Sequence, residues 1–173
     1  MVNIPTVITL SRILIIFPFI LVAGKNPFLG AVLFGIASLT DLLDGYIARK
    51  TKQVTKLGIL LDPIADKLLV ISALVLFVDM AVIPAWIAIV IIVREFIVTG
   101  LRIVALSKDI VIPAEMGGKI KVTAQISSVL VLFLDRTFIN IDLYAIGITL
   151  IWIAMVLGII SGIQYFILFW KRI

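Results

Sequence analysis

The stretch from Phe28 to Lys50, FLGAVLFGIASLTDLLDGYIARK, joins an apolar run directly to a pair of carboxylates. The apolar part is typical of a helix that crosses a lipid bilayer, since about 20 such residues span the hydrocarbon core. Asp41 and Asp44 follow at the end of the run, and a second pair, Asp62 and Asp66, lies shortly downstream. Charges are expensive in lipid and usually have a function there. The pattern therefore predicts a membrane helix bundle with acidic residues gathered at one end.

The composition of the whole chain agrees with this prediction. The chain has 173 residues, of which 63% are hydrophobic and 14% are charged. A soluble domain averages about 45–50% apolar and about 25% charged residues. We expect an all-α integral membrane protein that forms a single domain over residues 1–173 and has six transmembrane helices. The predicted spans are Pro5–Ala23, Phe28–Arg49, Gly58–Asp79, Ile83–Leu106, Gly118–Leu134 and Leu143–Trp170.

The distribution of basic residues predicts the orientation of these spans. If the N-terminus is cytoplasmic, the opposite side holds only Lys25 and Arg136. The cytoplasmic side then holds Arg49, Lys50, Lys52, Lys56, Lys108, Lys119, Lys121, Lys171 and Arg172. This asymmetry follows the positive-inside rule, so we expect a multi-pass protein of the cell membrane with both termini in the cytoplasm. Its basic side would face anionic lipid head groups, and the aspartates would lie on the same cytoplasmic face.

The chain contains no cysteine and no histidine. Their absence excludes disulfides, thiolate chemistry and imidazole ligands, so any metal ion must be held by oxygen atoms. Asp41 and Asp44 are one helical turn apart, and Asp62 and Asp66 are four residues apart, so each pair shares one helix face. A short polar connection makes the two helices antiparallel neighbours, which brings the pairs together. Clustered carboxylates suit Mg²⁺ or Mn²⁺, and two such ions clamp phosphate oxygens.

The residues around the two pairs form a longer motif. It reads Asp41-x-x-Asp44-Gly45-x-x-Ala48-Arg49, eight residues, Gly58-x-x-x-Asp62-x-x-x-Asp66. The motif resembles the signature of the CDP-alcohol phosphatidyltransferases at every fixed position, and the resemblance covers the whole chain. It implies a six-helix membrane enzyme that uses CDP-diacylglycerol and releases CMP at the cytoplasmic face.

The resemblance also implies roles for individual residues. Asp41, Asp44, Asp62 and Asp66 would hold two divalent ions, Mg²⁺ or Mn²⁺, and Asp66 would in addition act as general base. The residues implied to bind the nucleotide of CDP-diacylglycerol are Thr6, Thr9, Gly45, Ala48, Arg49, Thr55 and Gly58.

A second group of charges lies in the fourth and fifth spans. Arg94 and Arg102, eight residues apart, share a helix face with Glu95 close by, and Lys119 and Lys121 begin the fifth span. Cations within a membrane helix are candidates for a functional site. They suggest an acceptor alcohol that has its own phosphate. The segments NIPTVITLSR, LDPIADKLLV, REFIVTGLR and GKIKVTAQ resemble the branch of the family whose acceptor is sn-glycerol 3-phosphate.

In that branch Arg94, Arg102 and Lys119 would bind the acceptor phosphate. The alternative that the acceptor is inositol phosphate or phosphatidylglycerol stays open. Simpler interpretations also stay open: Asp62 could cap a helix that starts at Pro63, Arg94 and Glu95 could form a structural pair, and the lysines could anchor the chain at the membrane surface.

The remaining patterns concern partners and rival functions. Gly158-x-x-x-Gly162 is typical of helix contacts and could belong to a homodimer interface. We expect no nucleic-acid partner. A prenyltransferase with paired aspartate motifs and a cation-binding transporter are the rival functions. A transporter would place its acids near the midplane, whereas these acids gather at one membrane face.

Overall fold

The computed structural model describes the backbone of residues 4–51, 56–108, 116–135 and 142–172. It describes the side chains within those ranges except those of residues 4–10, 12, 41–51, 56–66, 106, 116, 117, 119 and 172. The secondary structure of the described residues is helical, without a strand. The helices are α1 (Ile4–Ala23), α2 (Pro27–Thr51), α3 (Lys56–Asp79), α4 (Ala85–Ser107), α5 (Met116–Asp135) and α6 (Leu143–Arg172).

The prediction of an all-α chain is confirmed, and each helix begins and ends within two residues of its predicted span. Among the described residues, one stretch, Leu143–Lys171 of α6, is long and apolar enough by length and composition to cross a membrane. Shorter apolar stretches lie at Ile13–Ala23 and Pro27–Thr40. The six transmembrane spans and the cytoplasmic location of both termini stay predictions.

Four phenylalanines at the centre of the bundle hold α1, α2, α3 and α5 together. The ring centroid of Phe133 lies 4.5 Å from that of Phe77 and 5.8 Å from that of Phe19. The rings of Phe19 and Phe34 are 6.1 Å apart, and all four side chains are fully buried. Tilted and edge-on aromatic pairs of this kind add about 0.5–1.5 kcal/mol each beyond the area they bury.

Glycines allow two close helix contacts beside this core. A Cβ atom at Gly30 would lie 2.7 Å from the Cβ of Ala23, and one at Gly147 would lie 2.6 Å from the Cγ of Leu132. The hydroxyl of Ser128 donates a hydrogen bond of 2.8 Å to the carbonyl oxygen of Gly147, so the backbones of α5 and α6 also share a polar contact. The pairing of α5 with α6 is the most extensive in the bundle.

The outer surface of the bundle is apolar on every helix. Leu21 on α1 is 72% exposed, Phe96 on α4 is 61% exposed, and Val75 on α3 is 55% exposed. Further large apolar side chains are exposed along α2, α5 and α6. A soluble monomer rarely presents apolar patches of this extent. The surface is therefore suited to lipid contact.

Candidate functional site

The helices place the four aspartates in one end of the bundle. Asp41 and Asp44 lie in the second half of α2, and Asp62 and Asp66 lie in the first half of α3. The two helices contact each other, and only four residues separate the end of α2 from the start of α3. Because the connection is so short, the C-terminal part of α2 and the N-terminal part of α3 lie at the same end.

The start of α3 excludes one simpler interpretation of these acids. α3 begins at Lys56, six residues before Asp62, and continues as a helix through Pro63. Asp62 is therefore inside the helix, and the alternative that it caps a helix starting at Pro63 is wrong. The N-cap residue stands outside the first helical turn, which is not where Asp62 lies.

The side chains of the aspartates lie outside the described residues, as do those of most of the predicted nucleotide-binding positions. Their backbones are on α1 (Thr6, Thr9), α2 (Gly45, Ala48, Arg49) and α3 (Gly58), while Thr55 is outside the described residues altogether. Among the side chains that are described, no three acids form a metal-binding group. The donor set that the sequence places at this end, carboxylates without thiol or imidazole, fits hard divalent cations. The metal site stays a prediction.

The described charges meet further along the bundle, around Glu95 on α4. We call Lys67, Arg94, Glu95, Thr99 and Lys121 the Glu95 cluster. The guanidinium of Arg94 uses all three of its nitrogen atoms. Its Nη1 donates to Glu95 Oε1 at 2.9 Å, and its Nε donates to the carbonyl oxygen of Gly158 at 2.7 Å. Its Nη2 donates to the hydroxyl of Ser161 at 2.6 Å, so Arg94 fastens α4 to α6.

Lys121 brings α5 into the same cluster. Its ammonium donates to Glu95 Oε1, the oxygen that also accepts from Arg94. Lys121 is only 4% exposed. One carboxylate oxygen thus pairs with two cations from different helices.

Lys67 connects α3 to the cluster. Its ammonium donates to the hydroxyl oxygen of Thr99. That hydroxyl in turn donates to the backbone carbonyl oxygen of Glu95 at 2.7 Å. Lys67 directly follows Asp66 in the sequence. The cluster therefore reaches the part of α3 that has the aspartates.

The three predicted phosphate-binding residues differ in their surroundings. Arg94 is held inside the cluster, with 16% of its side chain exposed. Arg102 is exposed, and its guanidinium carbon lies 5.9 Å from the centre of the Tyr165 ring on α6. Both arginines contact α6, as expected from their spacing of eight residues. The side chain of Lys119 lies outside the described ones.

The glycine pair on α6 has a role inside the chain. A Cβ atom at Gly162 would lie 3.5 Å from Arg94 Nε, and one at Gly158 would lie 3.7 Å from the same atom. The pair therefore faces α4 of its own chain and leaves room for the arginine. The possibility that Gly158-x-x-x-Gly162 belongs to a homodimer interface is not borne out, because both glycines face Arg94 of the same chain.

Sequence reasoning gave Lys121 no specific role, although a signal for its burial is present. The buried residues of α5 recur every three or four positions along the helix. They are Lys121, Ala124, Gln125, Ser128, Val129, Leu132 and Phe133. Lys121 is the first member of this stripe, which has the period of a helix face. The stripe is hard to recognise in the sequence because three of its seven members, Lys121, Gln125 and Ser128, are polar.

The chain is similar to known proteins along most of its length. The family model described as CDP-alcohol phosphatidyltransferase matches residues 2–160. A protein of Bacillus subtilis (strain 168) is 41% identical over 190 aligned positions, which cover 100% of this chain and 98% of the relative. A protein of Haemophilus influenzae (strain ATCC 51907 / DSM 11121 / KW20 / Rd) is 40% identical, with 94% of this chain and 91% of the relative covered.

A third relative, from Rickettsia bellii (strain RML369-C), is 38% identical, with 95% of this chain and 93% of the relative covered. All three relatives are named CDP-diacylglycerol--glycerol-3-phosphate 3-phosphatidyltransferase. The family match covers most of the chain, and each of the three relatives covers at least 94% of it. The chain belongs to the CDP-alcohol phosphatidyltransferase family.

Proposed function

We propose that this protein transfers the phosphatidyl group of CDP-diacylglycerol to sn-glycerol 3-phosphate, which gives phosphatidylglycerophosphate and CMP. The observation that supports this most strongly is the 41% identity over the whole chain to a relative named for this reaction. The motif from Asp41 to Asp66, complete in this sequence, supports the same reaction type. The protein is accordingly an enzyme of phospholipid biosynthesis.

The aspartates Asp41, Asp44, Asp62 and Asp66 are the proposed ligands of two divalent ions, Mg²⁺ or Mn²⁺. This proposal is supported by the position of both pairs at one end of α2 and α3 and by the oxygen-only donor set. When bound, such ions neutralise the diphosphate of the donor lipid and stabilise the departing CMP. The proposed nucleotide-binding residues are Thr6, Thr9, Gly45, Ala48, Arg49, Thr55 and Gly58.

Asp66 is the proposed general base. Its carboxylate takes the proton of the acceptor hydroxyl, whose oxygen forms a bond to the phosphorus that bears diacylglycerol. The bond from that phosphorus to the CMP oxygen breaks. A base of this kind must lie within hydrogen-bond reach of the acceptor hydroxyl, and Arg49 offers a planar fork that would orient the diphosphate.

Arg94, Arg102 and Lys119 are the proposed ligands of the acceptor phosphate. Arg94 is bound to protein acceptors through all three nitrogens, but each terminal nitrogen of a guanidinium has a second N–H group. It can therefore serve the fold and a phosphate at once. Arg102 is exposed beside Tyr165, which leaves its guanidinium accessible.

We propose further that all six helices cross the cell membrane, with the aspartates on the cytoplasmic face. The apolar surfaces of every helix support a lipid environment, and the unequal distribution of Lys and Arg supports the orientation. The proposed partners are membrane lipids, both substrates and a second copy of the chain. A homodimer would have to use a surface other than Gly158 and Gly162, which face Arg94.

The test is CMP release by purified protein in detergent with CDP-diacylglycerol and Mg²⁺ or Mn²⁺. Glycerol 3-phosphate, inositol 1-phosphate, serine and phosphatidylglycerol are offered in turn. Release with glycerol 3-phosphate alone is the expected result. Release with a different acceptor would overturn the acceptor assignment. No release with any acceptor would overturn the transferase and favour a cation-binding role.

A further inference from the structure

Two cations pair with one carboxylate oxygen in the Glu95 cluster, and a third cation is linked to Glu95 through Thr99. Glu95 Oε1 accepts from Arg94 and from Lys121, and the ammonium of Lys67 donates to the Thr99 hydroxyl that is bonded to the backbone of Glu95. Both residues of the ion pair are largely buried: the side chain of Glu95 is 14% exposed and that of Lys121 is 4% exposed. Among the described residues, positive charge is therefore in excess at this place.

The Glu95 carboxylate helps to fix the positions of the Lys121 ammonium and the Arg94 guanidinium. The side chain of lysine has four flexible carbon bonds and a single charged end, so its ammonium adopts a fixed position only when a partner holds it. Arg94 has two further acceptors on α6, whereas Glu95 is the one partner recorded for Lys121 among the described residues. Loss of Glu95 would leave two cations close together in apolar surroundings, where an unpaired charge is unstable.

We propose that Glu95 is a positioning residue of the acceptor end of the site, in which its carboxylate holds Lys121 and Arg94 in place for the acceptor phosphate. This inference rests on the proposed function. It adds Lys121 to the proposed phosphate-binding residues Arg94, Arg102 and Lys119, and it gives Glu95 a role. Through Thr99 and Lys67, Glu95 also connects Arg94 and Lys121 to the segment of α3 beside Asp66.

The inference predicts a specific kinetic change in Glu95→Gln. An amide occupies the same volume and its oxygen can still accept a hydrogen bond, but it is neutral, so the charge attraction that holds Arg94 and Lys121 at Glu95 Oε1 is lost. Loss of the fixed position of the Lys121 ammonium should weaken phosphate binding. We expect the KM for glycerol 3-phosphate to rise about tenfold, with kcat changed less than threefold and the KM for CDP-diacylglycerol unchanged.

Two further sets of variants keep the test informative if Glu95→Gln is poorly folded. Glu95→Asp keeps the charge and should recover at least half of the lost affinity on a logarithmic scale. In a double-mutant cycle, Lys121→Gln and Glu95→Gln/Lys121→Gln should show the same KM for glycerol 3-phosphate, because residues that act as one unit are not additive. Asp79→Asn, which removes an exposed carboxylate at the far end of α3, should match the wild-type protein.

Three other outcomes would overturn either the role of Glu95 or the proposed function. An unchanged or lowered KM for glycerol 3-phosphate in Glu95→Gln would overturn the inference, since the carboxylate would then be neutral or would compete with the phosphate. Equal losses for both substrates and kcat would assign Glu95 to the fold alone. A wild-type protein that releases no CMP with glycerol 3-phosphate would overturn the proposed function itself, whereas an active wild type beside an unaffected variant would overturn only the role of Glu95.

Discussion

The aspartate end of α2 and α3 and the Glu95 cluster are built in different ways. The aspartates come from two helices that are consecutive in the chain and lie within 26 residues, from Asp41 to Asp66. The Glu95 cluster takes its members from α3, α4 and α5 and is fastened to α6 by Arg94, so its contacts extend from Lys67 to Ser161. The residues of the first region are brought together by their spacing in the sequence, whereas those of the second are brought together by the packing of the helices. The two regions should therefore respond differently to substitution.

The largest expected effect belongs to the aspartate end. Asp66→Asn is predicted to reduce CMP release by at least a thousandfold, because the amide can neither accept the proton of the acceptor hydroxyl nor supply a full ligand charge. General acid–base catalysis alone contributes about 10²–10⁴-fold. The measurement is turnover in detergent, together with binding of a cytidine nucleotide, which should largely persist.

Asp79→Asn is the matched control for this variant, since it removes a carboxylate from the opposite end of the same helix. It should leave turnover unchanged. Normal turnover by Asp66→Asn would remove Asp66 from the mechanism, and the contrast between the two regions would then have no catalytic basis.

This contrast also explains what the sequence could and could not predict. The helix bounds were predicted within two residues because polar or turn-forming residues interrupt each apolar run. The motif from Asp41 to Asp66 could be recognised because its spacing is local. The sequence also named Arg94 and Glu95 but did not indicate which residues of other helices bind them. Selection of Lys121 and Ser161 depends on which helix faces meet, and local periodicity does not contain that information.

Arg94→Ala should have the largest effect on the stability of the second region. It removes three hydrogen bonds and leaves Glu95 with fewer cations in a mostly buried position. Removal of one partner from a buried ion pair costs about 3–5 kcal/mol, so a clear drop in the thermal unfolding temperature in detergent is expected. The KM for glycerol 3-phosphate should also rise more than that for CDP-diacylglycerol.

Arg102→Ala is the control for this change, because Arg102 lies on the same face of α4 but is exposed, with a cation–π contact to Tyr165. Such a contact contributes about 0.5–1 kcal/mol at exposed sites. The unfolding temperature should fall much less than in Arg94→Ala, while the KM for the acceptor rises. Equal thermal losses in both variants would mean that the Glu95 cluster does not stabilise the bundle in the way its contacts suggest.

A smaller effect is expected from the glycines that set the distance between helices. Gly147→Ala places a Cβ 2.6 Å from Leu132, which is fully buried and cannot move aside easily. Overpacking of this kind costs about 1–3 kcal/mol. Gly158→Ala adds the same methyl group at an ordinary contact distance of 3.7 Å from Arg94 and should cost less. Thermal unfolding of both variants measures the difference, and a reversed order would contradict the close approach of α5 and α6.

The smallest effect concerns Gln125, one turn beyond Lys121 on the buried stripe of α5. It is 3% exposed, and its side-chain nitrogen has no hydrogen-bond partner among the described residues. An unpaired buried donor costs about 1–3 kcal/mol, so Gln125→Met, which keeps a similar volume, should raise the unfolding temperature by a few degrees. Ser128→Ala, which breaks the bond to Gly147, should lower it. A loss of stability in Gln125→Met would show that the amide has a polar partner, and the Glu95 cluster would then extend one turn further along α5.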